Sequence, residues 1–132
     1  MDLRFSSCTL AVHDLGSALG FYRDVLGFTV WNDGPLSVGP PSQPDVRIVL
    51  EPPGADRGAS PSDRSAIEDL MSKALLSRLV FATDDCDGTF ERIEAAGAEV
   101  MQEPIDQPDG ARDCAFLDPS GNMLRFIQRR EV

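Results

Sequence analysis

Histidine is almost missing from this 132-residue chain, since His13 is its single example. One subunit therefore cannot assemble the two-histidine, one-carboxylate site of non-haem iron oxygenases. Cysteine is scarce too. Cys8, Cys86 and Cys114 are odd in number, widely spaced and without a CxxC pair, so they form neither a disulfide framework nor a zinc knuckle. A reducing compartment is expected. No apolar run approaches the roughly eighteen residues that span a bilayer, and no charged-then-apolar start resembles a signal peptide, so we expect a cytoplasmic protein without a membrane partner. Basic residues are in the minority: 12 Lys and Arg stand against 22 Asp and Glu, a formal charge of -10. That balance argues against a nucleic-acid phosphate surface.

With 42% apolar and 26% charged residues, the chain suits one domain over 1–132 whose core needs no disulfide or metal support. Leu10 and Val12 alternate with Thr9 and Ala11 as in a strand, with Cys8 on the side of Leu10 and Val12. Asp14 then stands where a helix N-cap belongs, and Leu15, Ala18, Leu19, Tyr22 and Leu26 recur at helical spacing until Gly27 stops the helix. Strands follow at 28–31, near 36–39, and at 46–51, where Pro52-Pro53 ends the pattern. Residues 52–62 have no period and read as a loop, and Ser62 starts a connecting helix through Ile67, Leu70, Met71 and Ala74.

A second unit opens at Leu79 with a strand to Ala82, a capping region from Asp84 to Asp87, and a helix with Phe90, Ile93 and Ala96 stopped by Gly97. A strand at 98–102 precedes a hairpin of 113–117 and 123–128 around the turn Asp118-Pro119-Ser120-Gly121-Asn122. Asp14, Gly27 and Val30 are matched by Asp84, Gly97 and Val100, each 70 positions on. The order of elements repeats with them, which indicates duplication. Module one would be 1–53, the connection 54–76 and module two 77–132.

The segments Leu10-Ala11-Val12-His13-Asp14-Leu15, Phe21-Tyr22-Arg23-Asp24-Val25-Leu26-Gly27-Phe28 and Phe116-Leu117-Asp118-Pro119-Ser120-Gly121-Asn122 together resemble the vicinal oxygen chelate superfamily. This is the group of glyoxalases, bleomycin-resistance proteins and extradiol dioxygenases. The resemblance implies an α+β fold of two tandem βαβββ modules forming a cupped mixed sheet around one cavity, in a homodimer. Metal-using relatives place ligands on the first and last strands of each module, which by position implies Ser7, Val49, Arg78 and Arg125. A hydroxyl, an aliphatic side chain and two permanent cations cannot hold a divalent ion, so no metal and no other cofactor is expected. A divalent metal would require the register to be misassigned, for example by a slip that puts Glu51 at the position of Val49.

The same positions define the candidate site. Arg78 and Arg125, with Ser7, Arg47 and Val49, would recognise a small organic anion through guanidinium forks, unless the arginines pair internally with Glu51 or another acid. Glu51 is the candidate general base for an alternative lyase or isomerase chemistry, with Arg78 or Arg125 steadying an oxyanion. Trp31, Phe28 and Phe116 would line or floor the pocket, or belong to the core. A second alternative is a drug-sequestering resistance protein, for which the acidic charge suits a cationic drug. His13 reads as a strand-end residue, Cys8 and Cys114 as small buried hydrophobes, and Cys86 as a helix-start thiol with a minor claim to reactivity.

Overall fold

The computed structural model describes residues 1–55 and 58–130; the loop expected over 52–62 thus contains two residues, 56 and 57, that lie outside the described ones. The chain divides into two compact units, Met1–Asp69 and Leu70–Val132. In the first unit β1 (Ser7–Ala11) leads to α1 (Leu15–Gly20), a π-helical turn (Phe21–Val25), β2 (Thr29–Trp31), β3 (Ser37–Gly39) and β4 (Arg47–Glu51). A helix α2 (Pro61–Ser72) runs across the division. The second unit holds β5 (Arg78–Ala82), α3 (Cys86–Ala95), β6 (Glu99–Asp106), β7 (Arg112–Leu117) and β8 (Met123–Gln128). Each unit forms a four-stranded sheet, in the orders β1-β4-β3-β2 and β5-β8-β7-β6. The outer pair is parallel and the other two pairs antiparallel in both, which is the expected tandem βαβββ arrangement of an α+β fold.

The helix ends follow from local chemistry. The Asp14 carboxylate accepts from the Gly16 amide at 3.0 Å and the Ser17 hydroxyl at 2.8 Å. Asp85, not Asp84, caps α3 by accepting from the Gly88 amide at 3.0 Å. The caps are therefore 71 positions apart, while Gly27 and Gly97, with φ of +72° and +98°, remain 70 apart. The helical segment of the first unit holds one residue more, and a π turn absorbs it: the Leu26 amide donates to the Phe21 carbonyl at 3.2 Å, five residues back. The uninterrupted helix expected over 15–26 is thus an α-helix followed by this wider turn.

Alternation along each sheet gives it a helix side and an open side. In the first unit Leu10, Ile48, Leu50 and Val38 are buried, together with Ala18, Phe21 and Tyr22 of the helical segment. Fully burying a large apolar side chain contributes about 1.5–3 kcal/mol, so these positions hold the frame. In the second unit Cys114, Phe116, Leu124 and Phe126 are buried with Phe90 and Ile93 of α3. Strand β6 runs beyond the expected end at 102 because it is an edge strand, where register shifts between Gln102 and Ile105 accommodate Pro104. The turn after β7 is a buried Asx device. The Asp118 carboxylate accepts from the Ser120 and Asn122 amides, each at 2.9 Å. Among the described residues, no helix is long and apolar enough to cross a membrane.

Candidate functional site

On the open side of the first sheet, strand pairing brings four of the expected residues together. Ser7 pairs with Arg47, Thr9 with Val49, and Val49 with Ser37, which pairs in turn with Trp31. Ser7, Ser37, Asp45, Arg47 and Val49 line a cavity of about 330 Å³. That is the lower end of the range for small-molecule sites. The Arg47 guanidinium lies 4.4 Å from the centre of the Trp31 ring and donates to the Asp33 carboxylate at 2.9 Å. Its Arg47 partner holds Asp33 below the usual carboxylate range, chiefly through that hydrogen bond. Glu51 ends β4 opposite Ala11 and is not part of the cavity wall.

Of the two candidate arginines of the second unit, Arg125 is held by its own unit. Arg78 pairs with Met123 and Val80 with Arg125, so both guanidinium-bearing residues sit on the open face. The guanidinium of Arg125, however, reaches away from β5: it donates to Gln102 Oε1 at 2.8 Å and stands 3.2 Å from the Asp113 carboxylate. Asp113 is only 4% exposed and also accepts from Gln102 and Gln107 Nε2 at 2.8 and 2.9 Å. Burial alone would raise its pKa, but the two amides and the guanidinium outweigh it and hold the carboxylate below its ordinary value. Of the two expectations for Arg125, internal pairing is the one observed, with Asp113 as the acid.

Of the two readings, pocket lining or core, the structure favours the core for Phe116. It is fully buried on the helix side, its ring 5.3 Å from that of Phe90 and 6.2 Å from that of Phe126. Phe28 likewise packs against Tyr22, at 5.9 Å between rings. Cys86 is buried, and desolvation raises its pKa, as it does that of Cys114, which is pushed up to about 12. His13 is exposed at the strand end. A broader depression of about 680 Å³ beside Asp84, Ile127 and Arg129 collects none of the expected site residues.

Two strand registers test the implied metal positions. The pairings Thr9 to Val49 and Val80 to Arg125 are equivalent, as are Ser7 to Arg47 and Arg78 to Met123. Within the chain, Val49 rather than Glu51 is therefore the position equivalent to Arg125. Ser7, Val49, Arg78 and Arg125 do not fit a divalent ion, and among the described residues no group of three or more His, Cys, Asp or Glu is placed to hold one.

Sequence reasoning missed Ser37, Asp45 and the Gln102–Asp113–Gln107 cluster. The first two lie in short or irregular segments, and the cluster joins residues on different strands and a loop.

Two βαβββ units, each with its own four-stranded mixed sheet, define the class of tandem-module α+β proteins. The match of residues 4–126 to the model of the Glyoxalase/Bleomycin resistance protein/Dioxygenase superfamily makes the assignment specific: the chain belongs to that superfamily. It is similar to UcmS2, whose crystal structure superposes with a TM-score of 0.86 at 32% identity over 96% of this chain and 98% of that one. TnmS3, an antibiotic binding protein from Streptomyces sp. CB03234, gives a TM-score of 0.74 at 25% identity, with 98% of each chain covered. The anthracycline biosynthesis protein DauV of Streptomyces sp. (strain C5) is 30% identical over 123 residues, 93% of this chain. The chain spans 40% of DauV's length, and 15% of that of a second anthracycline biosynthesis relative, DnrV of Streptomyces peucetius, with which it shares a shorter match.

Proposed function

We propose that the protein binds a small, flat organic molecule without a metal and releases it unchanged, as a sequestering or carrier protein for an antibiotic-like compound. The observation that carries this reading is the wall of the first-unit cavity. It offers hydroxyls, a guanidinium laid on an indole and an aliphatic floor, a set suited to holding a ligand. A lyase or isomerase would have Glu51 as its base, and Glu51 stands outside that wall. The antibiotic-binding relative and the anthracycline relatives support the ligand class.

The charges favour a neutral or cationic ligand over the anion expected from the arginines. Around the cavity one guanidinium, Arg47, stands with two carboxylates, Asp33 and Asp45, and Arg125 is already matched by Asp113. A homodimer is part of the proposal, supported by the exposed apolar Val80, Met101 and Ile105 of the second unit. Light scattering on the purified protein tests it, and a monomer mass at micromolar concentration would remove it.

Trp31 is the single tryptophan, so its fluorescence reports the site directly. Titration with an anthracycline should quench it saturably, Glu51→Gln should bind as the wild type does, and the ligand should be recovered with unchanged mass. No quenching, or a Glu51-dependent change in ligand mass, would overturn the proposal.

A further inference from the structure

Ser37 is 1% exposed, and among the described residues its Oγ has no hydrogen-bond partner. A hydroxyl buried without a partner weakens a fold, so such a residue calls for a reason outside the fold. The frame itself does not require it. Ser37 pairs with Val49 as Ala115 pairs with Arg125, and the equivalent position in the second unit is filled by alanine, also fully buried. The second unit builds the same sheet without that oxygen.

Its neighbours indicate what the hydroxyl meets. Ser37 lines the cavity with Asp45, Arg47 and Val49, and its cross-strand partner is Trp31. Gly39 lets the indole lie close to the strand: a Cβ there would stand 3.2 Å from the ring and 2.9 Å from the Val46 carbonyl oxygen. The Arg47 guanidinium covers the indole, and a planar guanidinium can stack a second ring. Asp33 already occupies the charge of Arg47 and Asp45 adds another negative group, so a carboxylate ligand has no free cation in this wall. A serine hydroxyl both donates and accepts, and rotation about its χ1 redirects it.

We infer that Ser37 is a specificity-determining residue that hydrogen-bonds an uncharged phenol or quinone oxygen of a flat aromatic ligand stacked at Arg47. This rests on the binding function proposed above and names its ligand class. The substituted position should behave unlike a structural serine, since removing the hydroxyl removes an unmet hydrogen bond from the free protein.

The test uses Trp31 quenching with two probes, a dihydroxyanthraquinone and an anthraquinone carboxylate, on the wild type and Ser37→Ala, together with melting of the ligand-free proteins. The neutral probe should bind the wild type more tightly than the carboxylate, and Ser37→Ala should weaken it roughly five- to tenfold, the loss of one good hydrogen bond. The melting temperature of ligand-free Ser37→Ala should be equal or higher. Tighter binding of the carboxylate, a neutral probe held equally by both proteins, or a clear drop in ligand-free melting temperature would each overturn the assignment of Ser37. Absence of quenching by either probe would remove the binding function and the role of Ser37 together.

Discussion

Replacing Asp113 by asparagine should cost about 2 kcal/mol at neutral pH, and the loss should fade on acidification. The side chain accepts from Gln102, Gln107 and Arg125 at 2.8, 2.9 and 3.2 Å. Asparagine keeps one acceptor oxygen for the amides but loses the negative charge opposite Arg125, whose side chain is 21% exposed. Breaking a fully buried pair costs about 3–5 kcal/mol, and a hydrogen bond to a charged group is worth about 1.5–3 kcal/mol. The residual exposure of Arg125 and the surviving oxygen place Asp113→Asn at the lower end.

The sign of the pH effect follows from the depressed pKa of Asp113. Burial pushes that pKa up, and the two amides and Arg125 bring it down further than burial raises it. The contribution is then fully present above the unfolded pKa of about 3.9 and disappears as pH falls through the lower folded value. Urea unfolding followed by circular dichroism, at neutral pH and near pH 3, should show a wide gap between wild type and Asp113→Asn that narrows in acid. A gap below about 0.5 kcal/mol at neutral pH, or one that does not narrow, would refute this account of Arg125. With its counter-charge removed, Arg125 should also gain affinity for an anthraquinone carboxylate.

Gly121→Ala should destabilise the second unit by more than about 3 kcal/mol, because its φ of +88° disfavours a side chain and a Cβ would run into the Met71 carbonyl oxygen. Gly27→Ala, at φ +72° with open space around it, should cost only about 1–2 kcal/mol, and chemical denaturation of the two variants checks the ratio. Calorimetric titration with nickel, zinc, manganese and iron(II) should show no one-to-one binding, since a hydroxyl, an aliphatic side chain and two guanidinium groups, at Ser7, Val49, Arg78 and Arg125, stand where the resemblance implies ligands. A saturable, chelator-reversible heat would refute that fit.

The features legible in the sequence are those set by neighbours along the chain. Asp14 before a helical stripe, Gly27 and Gly97 after one, and the Asp118–Asn122 turn each carry their own capping or turning chemistry. The facing of Phe116 was not legible, because β7 is buried through Asp113, Cys114, Ala115 and Phe116 and shows no polar alternation. The partner of Arg125 was hidden for another reason: Gln102, Asp113 and Arg125 meet only once β6, β7 and β8 are aligned. The π turn escaped because one extra residue barely changes a helical stripe, and it is visible only in the spacing of the two caps against the two glycines.

Comparison of equivalent positions separates the part of each sheet that holds the fold from the part that is free to vary. On the helix side, Leu10, Ile48 and Leu50 of one unit correspond to Phe81, Leu124 and Phe126 of the other; all are apolar, and Phe81 stacks on the buried Phe126 ring. On the open side the correspondence breaks down: Ser7 faces Arg78 in the alignment, Arg47 faces Met123, Val49 faces Arg125 and Glu51 faces Ile127. Changes from polar to apolar and from neutral to charged at four equivalent places mean that the frame does not depend on what stands there. The four positions at which the resemblance implies metal ligands, Ser7, Val49, Arg78 and Arg125, all belong to this side. In the second unit the incoming arginine is neutralised by Asp113. In the first, the orphaned hydroxyl of Ser37 has no such answer within the fold, and that asymmetry is why the first-unit cavity, rather than the pair of arginines, is the place to look for the ligand.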